Sequence, residues 1–170
     1  MRTLITGGVK SGKSRHALEL AADFGAGPGP FFLATARAFD EEMRQRIARH
    51  RAERDPRFET IEEPIAIHEK VRDRMVVDCI PMWLNNIFFD GREDEIDAVL
   101  GAFIDRLPRD IVIVTNETGM GVIPADAASR RYGIALGVAN AHLAAACDRV
   151  LLMVCGLPLE VKAPGTKAAQ

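Results

Sequence analysis

The sequence predicts an α/β fold in three layers, with a mostly parallel central sheet and helices on both faces. Three observations carry this. Short apolar, β-branched runs alternate with segments of helical period along the 170 residues. The apolar runs are nearly continuous, as in strands buried on both sides. A glycine-rich stretch joins the first strand to the first helix, at the carboxyl end of the strand, where such folds bind ligands.

The elements follow in order. Thr3–Thr6 reads as the first strand. Lys13–Phe24 reads as a helix with Ala17, Leu20, Ala21 and Phe24 on one face. Residues 25–30, Gly-Ala-Gly-Pro-Gly-Pro, break the chain before a second buried strand, Phe31–Thr35. Asp40–Arg54 reads as a helix, with acids at its start and arginines towards its end. Asp55-Pro56 stops it, and Phe58–Ile61 fits a short strand. Pro64 suits the first turn of a helix running to about Arg74. Met75–Asp78 is a short strand ending in an acid, and Pro81–Phe89 a short helix. Asp94–Leu107 has helical spacing. Ile111–Thr115 is the most β-branched run, hence a buried strand. A glycine-containing loop over 116–124 leads into an alanine-rich helix, Ala125–Cys147, and then the last core strand, Arg149–Val154. The expected organisation is one domain over residues 1–162 and a loose tail over 163–170.

Net charge is −2, with 48% hydrophobic residues and no apolar run long enough to span a bilayer. Neither a nucleic-acid surface nor a membrane span is expected. The chain enters its first strand without a secretory leader pattern, and a cytoplasmic location is expected. Cys79, Cys147 and Cys155 have no metal-ligand spacing and read as small buried hydrophobes in a reducing compartment.

Gly7-Gly8-Val9-Lys10-Ser11-Gly12-Lys13-Ser14 fits G-x-x-x-x-G-K-[ST], the phosphate-binding loop. Its glycines let successive backbone N–H groups converge on phosphate oxygens. Lys13 reaches the β/γ-phosphates, and the Ser14 hydroxyl suits Mg²⁺. The strand-end rule gathers this loop, Ala34-Thr35-Ala36, Asp78 and the loop over 116–121 on one rim. Asp78 is placed to hold Mg²⁺, directly or through water. Glu117 could do the same, and the residues alone do not choose between them.

Arg44, Arg46, Arg49, Arg51 and Arg54 crowd the second half of the 40–54 helix around His50. One reading is a solvated basic face with a half-buried histidine sharing the side of Met43 and Ile47. The other is chemical. Cationic neighbours disfavour the imidazolium, leaving a neutral nucleophile, and the same arginines suit polyphosphate. His16, His68 and His142 lack such company, and Trp83 reads as core.

Several separated segments together resemble the bifunctional adenosylcobinamide kinase / adenosylcobinamide-phosphate guanylyltransferase family of cobalamin nucleotide-loop assembly. They are Ile5–Arg15, Ala34–Ala36, Asp40–Met43 with Arg46, Ile47 and His50, and Asp78-Cys79 with Trp83, Leu84 and Asn86. Val114–Glu117 with Gly119, Met120, Gly121 and Pro124, then Gly137 with Asn140, and Gly156–Pro158 complete the set. The resemblance extends to about Lys162. It implies phosphoryl transfer from ATP or GTP to the aminopropanol hydroxyl of adenosylcobinamide. It then implies GMP transfer from GTP to the resulting phosphate, through a phosphoramidate on His50. Implied nucleotide contacts are Gly7–Ser14, Ala34, Thr35, Ala36, Arg51, Ala52, Glu53, Arg54, Glu62 and Asp78. Lys13 is an implied catalytic group, Ser14 and Asp78 hold Mg²⁺, and the assembly is a homotrimer.

The chain departs from the family pattern at Pro81, Gly133-Ile134 and Ala141. Two other readings use part of the same residues. A plain small-molecule kinase would need Lys13, Ser14 and Asp78 but not His50. A GTP-binding switch would need a guanine-reading Asn-Lys-x-Asp segment, which the chain lacks.

Overall fold

The computed structural model describes residues 1–52, 55–118, 120–121 and 123–166. Seven strands form one sheet: β1 Arg2–Gly7, β2 Phe31–Ala34, β3 Glu59–Glu62, β4 Met75–Asp78, β5 Ile111–Val114, β6 Arg149–Val154 and β7 Leu157–Lys162. Their spatial order is β3-β2-β4-β5-β1-β6-β7. Every pairing is parallel except β6 with β7. The helices are α1 Lys13–Ala22, α2 Glu41–Ala52, α3 Ile67–Lys70, α4 Ile80–Phe89, α5 Ile96–Asp105 and α6 Ala127–Ala146.

The continuous apolar runs are explained by two cores, one on each face of the sheet. Side chains alternate across a strand. Leu4, Leu33, Met75, Val77, Ile111 and Ile113 therefore join Trp83, Leu100, Phe103, Leu136 and Leu143 from the helices of one face. Ile5, Phe32, Val76, Val112 and Val114 pack with Ala17 and Ala21 of α1 on the other. Alanines at both contact positions let α1 lie close to the sheet, and this fixes the start of the helix below the loop that precedes it.

A buried polar clasp joins the carboxyl ends of β2 and β4. The Thr35 hydroxyl donates to the Cys79 carbonyl at 2.7 Å and accepts from the Cys79 N–H at 2.9 Å. Asn86 on α4 donates from Nδ2 to the carbonyls of Thr35 (2.7 Å) and Pro64 (2.9 Å). Thr35 and Asn86 are both fully buried. A second tie fixes the loop after β5. Thr115 donates to Asn140 Oδ1 at 2.7 Å, and Asn140 Nδ2 donates to the Asn116 carbonyl at 2.9 Å.

Four expectations change. The helix drawn from Pro64 to Arg74 is only the single turn of α3. Glu63 Oε1 accepts from the N–H groups of Ile65 and Ala66, which starts the turn late, and Val71 is already extended. The expected helix Asp94–Leu107 splits into a 3₁₀ turn at Glu93–Glu95 and α5. Beyond the expected last strand lies β7, which returns antiparallel on the sheet edge. Lys162 is its final residue, and its ammonium donates to the carbonyls of Ala144, Ala145 and Cys147. Residues 167–170 of the tail lie outside the described residues. Cys155 is exposed, unlike Cys147.

Replacing Asn86 removes two hydrogen bonds and leaves two carbonyls buried without a donor. Asn86→Ala should cost about 2 kcal/mol and lower the melting temperature by roughly 4–8 °C. Calorimetry of the variant tests this, and a melting temperature equal to that of the wild type would contradict it.

Candidate active site

The phosphate loop lies between β1 and α1. Gly7 has φ 142°, and a Cβ there would stand 2.6 Å from the Met153 carbonyl of β6. Gly12, the residue before α1, has φ 94°. Both positions demand glycine, one for space and conformation, the other for conformation. The loop is braced from within and from the side: Ser11 N–H donates to the Gly8 carbonyl and Glu117 N–H to the Gly7 carbonyl, both at 3.3 Å. It therefore holds its curl above the positive end of the α1 dipole.

Lys13 is buried, and its ammonium donates to the carbonyls of Gly7 at 2.9 Å and Gly8 at 2.6 Å. Burial pushes its pKa below the usual lysine value, while Cys79 and Asp78 nearby pull in the other direction. An ammonium this buried, held by two backbone carbonyls, is poised to exchange them for phosphate oxygens. Next to Asp78, the Cys79 thiol is pushed up to about 12, first by burial and then by the Asp78 charge. It stays protonated and offers no nucleophile.

These groups open into a cavity of about 1010 Å³ at the carboxyl ends of the strands. Val9–Ser14, Ala34, Ala36, Glu62 and Asp78 line it, as do Arg46, Arg49, His50 and Arg51 of α2. The residues expected on one rim are thus brought together with the histidine helix. Thr35 does not line it, because its side chain turns inward to the clasp, and Gly7, Gly8 and Glu117 are not part of the lining either. Ala52 faces a second cavity of about 450 Å³ on the other side of α2, which Ile47 and Arg51 also border. Glu53 and Arg54 lie outside the described residues.

No residue of α2 is buried. His50 is exposed, not half-buried beside Met43 and Ile47 as one reading held. The helix starts where the Asp40 carboxylate accepts from the Met43 N–H at 2.7 Å. Its entry loop is fixed to the end of α4, where Arg37 donates to both oxygens of Asp90 at 2.9 and 2.8 Å and Phe39 stacks on Phe89 at 4.4 Å. Near its far end Arg51 pairs with Glu62 at 3.3 Å.

Other expectations resolve simply. Trp83 is core and donates from Nε1 to the Ile65 carbonyl at 2.8 Å. Pro81 falls in the first turn of α4, where a missing N–H costs nothing, and its carbonyl accepts from Tyr132 at 2.9 Å. Ile134 and Ala141 are exposed on α6. The sequence reading did not select Phe39, Met82, Asn85 or Tyr132, all of which line the cavity. The signal was present in α4: Met82, Asn85 and Phe89 recur at helical spacing on the side away from Ile80, Trp83, Leu84 and Ile87.

Comparison with known proteins agrees in sequence and in fold. Residues 3–161 match the family described as cobinamide kinase / cobinamide phosphate guanyltransferase. The bifunctional adenosylcobalamin biosynthesis protein CobP of Pseudomonas aeruginosa is 40% identical over 171 residues, spanning 95% of this chain and 98% of that protein. The bifunctional adenosylcobalamin biosynthesis protein CobU of Escherichia coli is 33% identical over 184 residues, spanning 95% and 100%. In structure, the flagellar accessory protein FlaH of Methanocaldococcus jannaschii superposes with a TM-score of 0.51 at 14% identity, over 98% of this chain and 81% of that one, a likeness of fold alone. The arrangement of loop, acid and histidine helix and the match along nearly the whole sequence lead to one conclusion: this chain belongs to the cobinamide kinase / cobinamide phosphate guanyltransferase family.

Proposed function

We propose that residues 1–162 form one enzyme unit that phosphorylates adenosylcobinamide and then guanylylates the product, using a single nucleotide site for both reactions. The observation that supports this is a phosphate loop and a histidine with its arginines lining one cavity. A plain kinase would have no use for His50 there.

In the first reaction the acceptor hydroxyl oxygen bonds to the γ-phosphorus of ATP or GTP. The bond from that phosphorus to the bridging oxygen breaks, the nucleoside diphosphate leaves, and the hydroxyl proton passes to solvent. Lys13, released from the carbonyls of Gly7 and Gly8, follows the charge on the β/γ-oxygens. The loop N–H groups, fixed in advance, need no reorganisation as that charge shifts. In the second reaction an imidazole nitrogen of His50 bonds to the α-phosphorus of GTP and the bond to pyrophosphate breaks. An oxygen of the acceptor's phosphate then bonds to the same phosphorus, the P–N bond breaks, and the histidine is regenerated. Arg46, Arg49 and Arg51 supply positive charge around this centre. Ala34, Ala36, Arg51, Ala52, Glu53, Arg54 and Glu62 serve the nucleotide, and Thr35 holds that segment from behind.

Ser14 and Asp78 both line the cavity and offer oxygen donors. Among the described residues no cluster of three or more His, Cys, Asp or Glu side chains forms a metal cage. Two protein oxygens suit Mg²⁺, which keeps water and phosphate oxygens as its other ligands. When bound, the ion would neutralise charge on the β/γ-phosphates.

Among the described residues no helix is long and apolar enough to cross a membrane, and the substrates fit a cytoplasmic enzyme. The family resemblance supports a homotrimer. Leu157, Leu159 and Val161, exposed on β7, are apolar surface that assembly could cover.

Four outcomes are expected. GTP labelled at the α-phosphate should leave acid-labile label on the protein, whereas γ-label should not stay. His50→Ala should abolish that label and guanylyl transfer while retaining kinase turnover, and loss of both activities together would contradict two separate attacks. Lys13→Ala should lower both turnover rates by about 10²–10³-fold, and a drop confined to one reaction would argue against a shared phosphate grip. Sedimentation equilibrium should give three times the 18.6 kDa chain mass, and a monomer mass at micromolar concentration would refute the trimer.

A further inference from the structure

The cavity is larger than a nucleotide requires. At about 1010 Å³ it stands at the upper end of the range for drug-sized ligands, and it runs on along α4 beyond the phosphate loop. This extension has its own lining. Met82 and Asn85 come from α4, Tyr132 from α6, Asn116 from the loop after β5, and Phe39 from the segment before α2.

Two features of the lining are unusual. The side-chain amides of Asn85 and Asn116 have no hydrogen-bond partner among the described residues, although each offers two donors and an acceptor. Their backbones are nevertheless fixed. Asn85 sits in the middle of a helix whose other face is in the core, and the Asn116 carbonyl is tied to Asn140 at 2.9 Å. Asn86, the next residue, spends its amide on the buried clasp. Neighbouring asparagines thus divide between an inward structural role and a face open to the cavity. The second feature is an apolar wall in the same lining. The Tyr132 hydroxyl is anchored on the Pro81 carbonyl at 2.9 Å, and its ring packs edge-on against Phe88 at 5.5 Å, so the ring is a fixed apolar surface.

Unpartnered amides on fixed backbone, beside a rigid apolar wall, match an acceptor with an apolar body and an amide-bearing rim. A carboxamide recognises another carboxamide by two reciprocal N–H···O bonds, which charged or purely apolar groups cannot offer. We propose that Asn85 and Asn116 are the acceptor-specificity residues of this site. They pair with peripheral amides of the corrinoid while Tyr132 and Met82 support its edge, which directs the reacting arm toward the phosphate loop. The assignment rests on the function proposed above.

The test measures kinase initial rates against adenosylcobinamide concentration for the wild type, Asn85→Ala and Asn116→Ala. Alongside, it measures α-labelled GTP incorporation without corrinoid and the melting temperature. Each variant should raise KM for adenosylcobinamide about tenfold with kcat within a factor of about two. For Asn85→Ala, label incorporation and melting temperature should match the wild type. An unchanged KM in both variants overturns the proposal, as does label incorporation that falls in step with the rise in KM, which would put these side chains at the nucleotide. A wild type that labels with GTP but phosphorylates no corrinoid would overturn the acceptor reading itself, and this subsite with it. That result is distinct from a subsite failure, in which the wild type turns over normally.

Discussion

A hydroxyl buried where β2 and β4 end fixes the geometry of the whole site. The Thr35 hydroxyl binds both backbone groups of Cys79, and the Asn86 amide donates to the carbonyls of Thr35 and Pro64. Three stretches of chain therefore leave the sheet from one point. The first leads to α2 and His50, the second joins β3, with Glu62, to α3, and the third begins α4 and its cavity face. In this dry environment each bond is electrostatically strong, and losing any partner leaves a buried polar group unsatisfied. The clasp is thus a hard constraint on directions that residues 35 and 79 alone would leave open.

Much of the fold was legible because its signals are local. The phosphate loop needs glycine at Gly7 and Gly12 for reasons contained within a few residues and one neighbouring strand. The two-sided burial of β4 and β5 shows directly in Met75–Val77 and Ile111–Val114. What escaped depends on distant partners. The strand-end rule places Thr35 on the binding rim, but its side chain answers to Cys79, 44 residues away. Asn86 reaches back 51 residues to Thr35, and no periodicity can announce that. β7 was missed because five of its six residues are exposed and Pro158 interrupts it, so it lacks the apolar density of the inner strands. The cavity face of α4 was visible as a spacing, but a polar residue in an apolar helix gains meaning only once the opposite face is known to be core.

The site joins two kinds of construction. The phosphate loop, Asp78 and the cavity face of α4 are mounted on strands and a helix with deep apolar packing, and their positions follow from the core. The histidine is mounted differently. Its helix carries four arginines against two glutamates, buries none of its residues and stands between two cavities. One half of the site is therefore set by folding and the other mainly by the attachments at its ends, the Arg37–Asp90 and Phe39–Phe89 contacts at one and the Arg51–Glu62 pair at the other.

That contrast makes ionic strength a variable for one half of the enzyme only. Both members of the Arg51–Glu62 pair are more than half exposed, and at physiological salt such charges are screened over about 8 Å. The pair contributes at most about 1 kcal/mol, and less as salt rises. Added electrolyte leaves the apolar contacts beneath the phosphate loop in place but weakens the tie that positions the histidine helix. The phosphate loop and the histidine helix, though they line one cavity, answer to different properties of the surrounding solution.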